Sequence, residues 1–557
     1  MKKLLLYLAV LAAACGCTAK KITTGAPEKV KPSKNVILML SDGTSTSLLA
    51  ATRWYKRYMH DTLDLPLALD PYICGLVQSR LSNSVIPDSA PGMSGYTCGV
   101  PSQAGNISIY PAPSHDVLPT DPEKAYQPAA TVLEAARTLK NKSTGIVVTT
   151  IFPHATPAAT AAHGAVRGRY SDLARQMASQ DLNVMFGGGH GILDDEMRGV
   201  IKSAGATLIE DDVDAFRAFD GEKVWALFNE DIMDFEIDRD DADEPSLSEM
   251  TAKALGILNK NPNGFFLMIE GSKVDYGAHS KDPVETLTEF EEFDNAFKVA
   301  LDFAKKDGNT TIVVLADHGN SGITLGDANY RQYATKGADS MFVGIKDCHT
   351  SSYKMSHLLK ECRAGDIPSI FKENTGIDLK PAELRAILSC MDRTEGDYMQ
   401  VSNTWNLQNV ICGIYTLRTH IGFTSGNHTG EDVFLAVYNP RGERPSGIIT
   451  NTELNDYLCK ELGFPSRQAL VDLTGQLFVP HLQLFDGCGL EVVPGENYPT
   501  LKVSANGREL RIPAFQSEVY VSETEGSERA VHTPCPAVYM IENGQFYVDK
   551  SLKELLN

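Results

Sequence analysis

Three apolar runs in this chain each stop at a carboxylate, and that repetition constrains the fold more than any other feature. Asn35-Val-Ile-Leu-Met-Leu40 runs into Ser41-Asp42-Gly43, Gly264-Phe-Phe-Leu-Met-Ile269 into Glu270-Gly271, and Thr310-Thr-Ile-Val-Val-Leu-Ala316 into Asp317-His318. An uninterrupted apolar run, rather than an alternating one, marks a strand buried on both faces of a parallel sheet. Ser143 to Thr150 and Asn183 to Phe186 read as further strands, and Thr131 to Leu139 and Leu287 to Ala304 have helical spacing. This alternation predicts an α/β fold, a three-layer sandwich around a mostly parallel central sheet. In open α/β sheets ligands collect beyond the carboxyl ends of the strands, where the three acidic residues stand. Asp42-Gly43 taken alone is equally an ordinary turn pair.

Other residues suited to chemistry surround these strand ends. Ser89, in Pro87-Asp88-Ser89-Ala90-Pro91, stands where a helix can begin, and free N–H groups with a positive dipole end favour an anion there. Asp-Ser is also a common helix cap. Asp275 and His279 are four apart and converge on one metal if the turn between them is helical. His428 lies in Gly426-Asn427-His428-Thr429-Gly430, before the strand Val433 to Tyr438. Thr156 in His154-Ala155-Thr156-Pro157 is equally a turn residue, Arg167 equally a surface cation, and His163 reads as structural.

The balance of charge narrows the function. A net charge of −20 and a pI near 5.1 exclude generic nucleic-acid binding, which needs a basic surface. An acidic protein acting on an anionic substrate must build positive charge locally, and metal ions do so. At the N-terminus Lys2-Lys3, an apolar run from Leu4 to Ala14 and Cys15-Gly16-Cys17 make an export leader too short to span a bilayer. Leu11-Ala12-Ala13-Ala14-Cys15 resembles a lipoprotein cleavage box. It predicts lipidation at Cys15, a membrane tether by the lipidated Cys15, and a periplasmic or cell-surface location with anchoring in the outer membrane. Residues 1–17 are then leader and 18–33 a flexible tether. Nine cysteines remain, some expected oxidised outside the cytoplasm, with Cys348, Cys362 and Cys390 as disulfide candidates.

The rest of the chain divides by character. Residues 34–465 form the catalytic domain, interrupted at about 319–425 by an inserted segment with its own helical patterns (Ser356 to Cys362, Pro381 to Leu388), expected over the site. The stretch 210–245 is heavily acidic and reads as a solvated face and loop. From 476 to 557 a small β-rich module is expected, with hairpins on Asn506-Gly507 and Asn543-Gly544.

Six motifs, "NVILMLSDG", "PDSAPGMSGYTCGV", "HATPAATAAHGAVRGRY", "FFLMIEGSKVDYGAH", "TTIVVLADHG" and "GNHTGEDV", occur in the order and spacing of the alkaline phosphatases, which the chain resembles over roughly 34–318 and 424–465. The resemblance implies hydrolysis of phosphate monoesters through a phosphoserine at a site of two zinc ions (Zn2+) and one magnesium (Mg2+). It implies Ser89 as nucleophile and Arg167 as the guanidinium that clamps phosphate. Asp317 and His318 match ligands of one zinc, with Asp42 bridging it to magnesium. Asp275, His279 and His428 match the ligands of the other zinc, and Thr156 and Glu270 the remaining magnesium ligands. His154 falls among the substrate-binding residues, standing where many bacterial members carry an aspartate near magnesium. Tyr276 and Pro91 also depart from the common pattern.

The expected partners are small-molecule phosphate monoesters, with no specific nucleic-acid binding and a homodimer as the family's usual assembly. Two alternatives stand beside this reading: a phosphodiesterase of the same superfamily, and a non-catalytic surface lipoprotein. Sulfatase chemistry is disfavoured, because Met93 stands where the sulfatase signal needs arginine. The natural substrate is not legible in the sequence.

Overall fold

Ten strands build the central sheet, and the apolar runs supply its middle. In chain order they are β1 (Asn35–Ser41), β2 (Ile73–Gln78), β3 (Ser143–Ile151), β4 (Val184–Gly188), β5 (Thr207–Glu210), β6 (Val224–Leu227), β7 (Phe265–Gly271), β8 (Thr310–Leu315), β9 (Val433–Tyr438) and β10 (Gly447–Thr450). The computed structural model describes residues 31–557 except 115–116, 328–329, 331–336, 394–398, 402–403 and 524–526. The leader at 1–17 and most of the tether at 18–33 fall outside the described residues. Ser33–Asn557 forms one compact unit.

The spatial order is β10-β2-β9-β8-β1-β7-β3-β4-β6-β5. Every neighbouring pair is parallel except those made by β9, which runs against both β2 and β8. The fold is the α/β sandwich with a mostly parallel sheet expected from the sequence. Strands β1, β3, β7 and β8 are buried along their whole length, as uninterrupted apolar runs require. Truncating a core side chain in such a layer costs about 2–5 kcal/mol.

Register decides where the chemistry falls. Leu40 pairs with Glu270 on β7 and with Leu315 on β8, and Ser41 pairs with Gly271. Asp42, Glu270 and Asp317 therefore emerge together at the carboxyl ends of three adjacent central strands.

Two short antiparallel ladders close the base of the 319–425 segment. Gly319–Asn320 pairs with His428–Thr429, and Thr324–Leu325 with Ile421–Gly422. The first ladder carries His428 back beside His318. Between the ladders lie the helices Ser352–Glu361, Ile367–Thr375, Pro381–Ser389 and Thr404–Thr419. At the C-terminus a five-stranded antiparallel sheet has its own apolar core, including Leu501, Val503, Leu510 and Ile512.

Several details differ from the sequence reading. Residues 210–245 are not all loop: Val224–Leu227 is a fully buried strand and Val213–Ala218 a helix. Four apolar residues inside acidic flanks are too short to shift a compositional reading. The Asn506-Gly507 hairpin has its two-residue turn, with Ala505 opposite Arg508 and both turn residues at positive φ. The other hairpin pairs Met540 with Gln545, so its loop has four residues rather than Asn543-Gly544 alone. Cys348, Cys362 and Cys390 are free thiols, as are all nine described cysteines. Each of the three turns its Sγ to a nearby backbone carbonyl, of Thr350, Leu359 and Ala386 respectively, and not to another sulfur.

Candidate metal centre

The helix Ser89–Cys98 presents Ser89 at its first position, with every residue buried. Two glycines and a proline make it a poor helix by propensity, so burial rather than local preference sustains it. Asp88 occupies the cap position but does not cap with its side chain. Its carboxylate instead accepts from Gly105 N at 3.0 Å and pairs with the Arg167 guanidinium. Arg167 follows the helix Ala155–Ala161 by a short loop, and its Nη2 lies 3.3 Å from His154 Nε2.

Three imidazoles face the strand ends, each oriented the same way. Nδ1–H of His279 donates to Gly426 O at 2.9 Å, that of His428 to Pro87 O at 3.0 Å, and that of His318 to Gly319 O at 3.1 Å. A carbonyl can only accept, so these contacts place a proton on each Nδ1 and turn the Nε2 atoms inward, where each is a lone pair whenever its ring is neutral. There His428 Nε2 lies 3.1 Å from His279 Nε2, and His279 Nε2 lies 3.4 Å from Asp275 Oδ2. His318 Nε2 stands 3.4 Å from Asp42 Oδ1, 3.3 Å from Asp317 Oδ2 and 3.1 Å from Ser89 Oγ. Ser89 Oγ is 3.5 Å from Asp42 Oδ1, and the His318 and His428 rings stack at 3.7 Å. The helix Lys273–Ser280 provides the turn that brings Asp275 and His279 onto one face.

Charge is frustrated here. Burial and the carboxylates of Asp317, Asp275 and Glu270 push Asp42 well above the usual carboxylate range. Burial above all raises Glu270 to about 8. Burial also opposes ionisation of Asp275, but its hydrogen bond to His279 and the nearby imidazoles outweigh it and hold the carboxyl well below its ordinary value. For His279, burial is outweighed by Asp275, which lifts it to about 8. Burial and then Arg167 depress His154 to about 4, so it is neutral.

The donor set fits divalent cations. Asp42 Oδ2, Thr156 Oγ1, both Glu270 oxygens and Asp317 Oδ2 are buried without a hydrogen-bond partner. Buried polar atoms are seldom left so, and orphaned oxygens beside converging nitrogen lone pairs are what a bound cation satisfies. Three groups bring ligand atoms within 4.8 Å of one another: Asp275, His279 and His428; Asp42, Asp275 and His318; and Asp42, His154 and Glu270. Two match expected sets in large part. The third adds His154, which the sequence reading placed with the substrate. Its Nδ1 is buried and unpartnered, while its Nε2 faces Arg167.

Supporting residues that the sequence did not flag complete the arrangement. Asn320 Nδ2 donates to Asp275 Oδ1 at 2.6 Å, fixing the carboxylate that faces both histidines. Gly43 sits at φ +62, and a Cβ there would stand 2.2 Å from Asp275 Oδ1. Tyr276 OH shares a 3.0 Å hydrogen bond with Thr150 Oγ1. His163 is structural, as read: its ring lies between Ser108 O and Glu134 Oε1.

A serine hydroxyl at a helix start, faced by carboxylates and imidazoles beyond the strand ends of a parallel sheet, defines a metal-binding hydrolase. The alkaline phosphatase family model matches residues 33–463. Alkaline phosphatase 3 of Bacillus subtilis is 30% identical over 447 residues, covering 77% of this chain and 89% of its own. The repressible alkaline phosphatase of Saccharomyces cerevisiae is 29% identical over 476 residues, covering 76% and 79%. The crystal structure of a cold-active alkaline phosphatase from a psychrophilic Shewanella superposes with a TM-score of 0.66 at 25% identity, covering 77% of this chain and 99% of that one. The chain belongs to the alkaline phosphatase family, and it is a phosphatase.

Proposed function

We propose that the chain hydrolyses phosphate monoesters, with Ser89 as the nucleophile and a phosphoserine as the intermediate. The single observation that carries this is Ser89 Oγ, buried at a helix start within 3.1 Å of His318 Nε2 and 3.5 Å of Asp42 Oδ1. Asp275, His279 and His428 would hold one zinc, Asp42, Asp317 and His318 a second, and Asp42, Thr156 and Glu270 a magnesium, with His154 beside it. When bound, these ions supply Lewis acidity that lowers the pKa of a coordinated hydroxyl or water and offsets charge on the oxygens around phosphorus.

The chain's own groups do the positioning. Ser89 Oγ forms a bond to phosphorus as the ester P–O bond breaks, and the alcohol leaves. Water then cleaves the phosphoserine, releasing inorganic phosphate and restoring the hydroxyl. Arg167 offers parallel donors to two phosphoryl oxygens, a bidentate geometry lysine cannot match. Asp88 holds that guanidinium in place from the side of the nucleophile helix. Product phosphate occupies the same clamp and inhibits.

The test compares p-nitrophenyl phosphate, bis-p-nitrophenyl phosphate and p-nitrophenyl sulfate at alkaline pH, with and without a chelator. A strong monoester preference abolished by chelation is expected, and preferred turnover of the diester overturns the reading. We also propose export with lipidation at Cys15 and assembly as a homodimer. No helix among the described residues is long and apolar enough to cross a membrane. Mass spectrometry of the mature N-terminus and sedimentation analysis test these two points.

A further inference from the structure

Arg167 stands on a tight turn. Arg169 N–H donates to Val166 O at 3.1 Å, so residues 166–169 form a β-turn with Arg167 at its first central position. Upstream, the catalytic domain fixes this turn: Arg167 N–H donates to Gly105 O at 2.9 Å, and Asn106 Nδ2 donates to Ala165 O at 2.9 Å. Gly168, the other central residue, is exposed, and a Cβ there would meet nothing within 4 Å. Downstream, the turn runs straight into the helix Tyr170–Ala178.

The C-terminal module grips that helix at its start, middle and end. Glu542 Oε1 lies 2.8 Å from Nη1 of Arg169, the residue that precedes the helix. The Arg175 guanidinium lies 5.1 Å from the centre of the Tyr498 ring, and Ser517 Oγ donates to Ser179 O at 2.8 Å, just past the last turn. Glu542 is itself firmly placed, in the four-residue loop between Val538–Met540 and Gln545–Val548. Val538, Met540 and Tyr547 of this hairpin are buried in the main core, and the Asn543 side chain ties the loop to Gln545 N and Tyr547 OH. Glu542, Tyr498 and Ser517 all lie past residue 463, where the match to the family model ends.

We propose that the C-terminal module is a positioning element for the phosphate clamp, with Glu542 acting through Arg169 to hold the turn that presents Arg167. The inference rests on the monoester reading above, which gives Arg167 its role. The Arg167 guanidinium pairs with Asp88, and its Nη2 lies 3.3 Å from His154 Nε2, so its aim depends on where its backbone stands. Asp172, in the first turn of the helix, also faces Arg169. Released from Glu542, Arg169 turns back toward Asp172 and the turn loses its tie to the module. A pair whose side chains are 36% and 19% exposed contributes modestly, so the shift in phosphate affinity is about fivefold at most. Substrate and product offer the clamp the same phosphoryl oxygens. Both lose equally, and the loss falls on binding rather than on turnover.

The experiment measures kcat and KM for p-nitrophenyl phosphate, and the Kd of inorganic phosphate by calorimetry, on the mature enzyme supplied with zinc and magnesium. Glu542→Ala should raise KM and the phosphate Kd together, by about two- to fivefold, without lowering kcat. Arg169→Ala should do the same. The double variant should be no weaker than Arg169→Ala alone, because both substitutions cut one link. Arg511→Ala is the control: its guanidinium pairs with Glu528 at 2.7 Å within the five-stranded sheet, so it disturbs the module without touching this link and should leave both constants unchanged. A phosphate Kd unmoved by Glu542→Ala overturns the inference, as does a loss confined to kcat, an additive loss in the double variant, or an equal loss in Arg511→Ala. Absence of p-nitrophenyl phosphate turnover in the native enzyme instead refutes the monoester reading, and the phosphate Kd then decides the positioning role by itself.

Discussion

His279 Nε2 and His428 Nε2 lie 3.1 Å apart, while each ring donates its Nδ1–H in a hydrogen bond to a carbonyl oxygen, of Gly426 and Pro87 respectively. Only a proton or a cation makes that approach favourable: near neutral pH His279, lifted to about 8 by Asp275, can supply the proton, and at alkaline pH, where both rings are neutral, a cation between them and Asp275 is required. Chelation should therefore abolish activity and lower the melting temperature together, because cations that bind only the folded state stabilise it by mass action. Added zinc with magnesium should restore both. Differential scanning calorimetry with elemental analysis checks this, and a melting temperature indifferent to chelation counts against a metal centre here.

Ser89 is 2% exposed, and its hydroxyl is close to the acceptor atoms of His318 and Asp42. Ser89→Ala removes one oxygen from a site otherwise held by backbone and carboxylates. It should reduce kcat by several orders of magnitude while metal content and melting temperature change little. Acid quenching of the native enzyme with labelled substrate should recover label on Ser89. Near-normal turnover by the variant would remove the nucleophile assignment.

The strand ends were readable because a fully buried parallel strand writes itself as an unbroken apolar run, and Asp42, Glu270 and Asp317 each close one. Spacing alone also brought Asp275 onto the face of His279. His428 was not placeable by any local pattern: it reaches His318 only through the ladder of Gly319–Asn320 on His428–Thr429. Here the six ordered motifs supplied what periodicity could not. Strands such as Val224–Leu227 and Gly447–Thr450 escaped because four residues carry too little pattern to outweigh acidic or turn-rich flanks. The half-exposed β2 lacks the continuous burial that marked its neighbours. The ring of His154 lies between Arg167 and the pair Asp42–Glu270, a three-dimensional fact no spacing encodes.

Gly43 tests the dependence of the centre on backbone. Its φ of +62 costs a substituted residue about 1 kcal/mol or more, and a Cβ would stand 2.2 Å from Asp275 Oδ1 and 2.9 Å from Asp275 Cα. Gly43→Ala should displace Asp275 from His279 and His428, weakening one metal position more than the others. The expected readout is a substoichiometric zinc content with a right-shifted zinc dependence of activity. Full zinc occupancy at native affinity would contradict the placement of Asp275.

Glu134 gives the acid limb of stability. Fully buried, it accepts from Thr131 N and Gln180 Nε2 and faces His163 Nε2 at 3.1 Å. Burial alone would raise its pKa, but His163 and these hydrogen bonds outweigh burial and lower it below the ordinary value of 4.5. A carboxyl with a depressed folded value contributes stability that is fully present above its unfolded pKa and is lost as pH falls through the folded one. Denaturant unfolding of the native protein should thus be flat near neutrality, as far as this group is concerned, and decline below about pH 4.5. Glu134→Gln should lower stability at neutral pH by about 1–3 kcal/mol, the cost of weakening buried hydrogen bonds to a charged group. Its acid decline should be shallower, because one proton fewer is taken up on unfolding. Parallel pH profiles for the two proteins would show that the ionised Glu134 carboxylate contributes nothing to the native state.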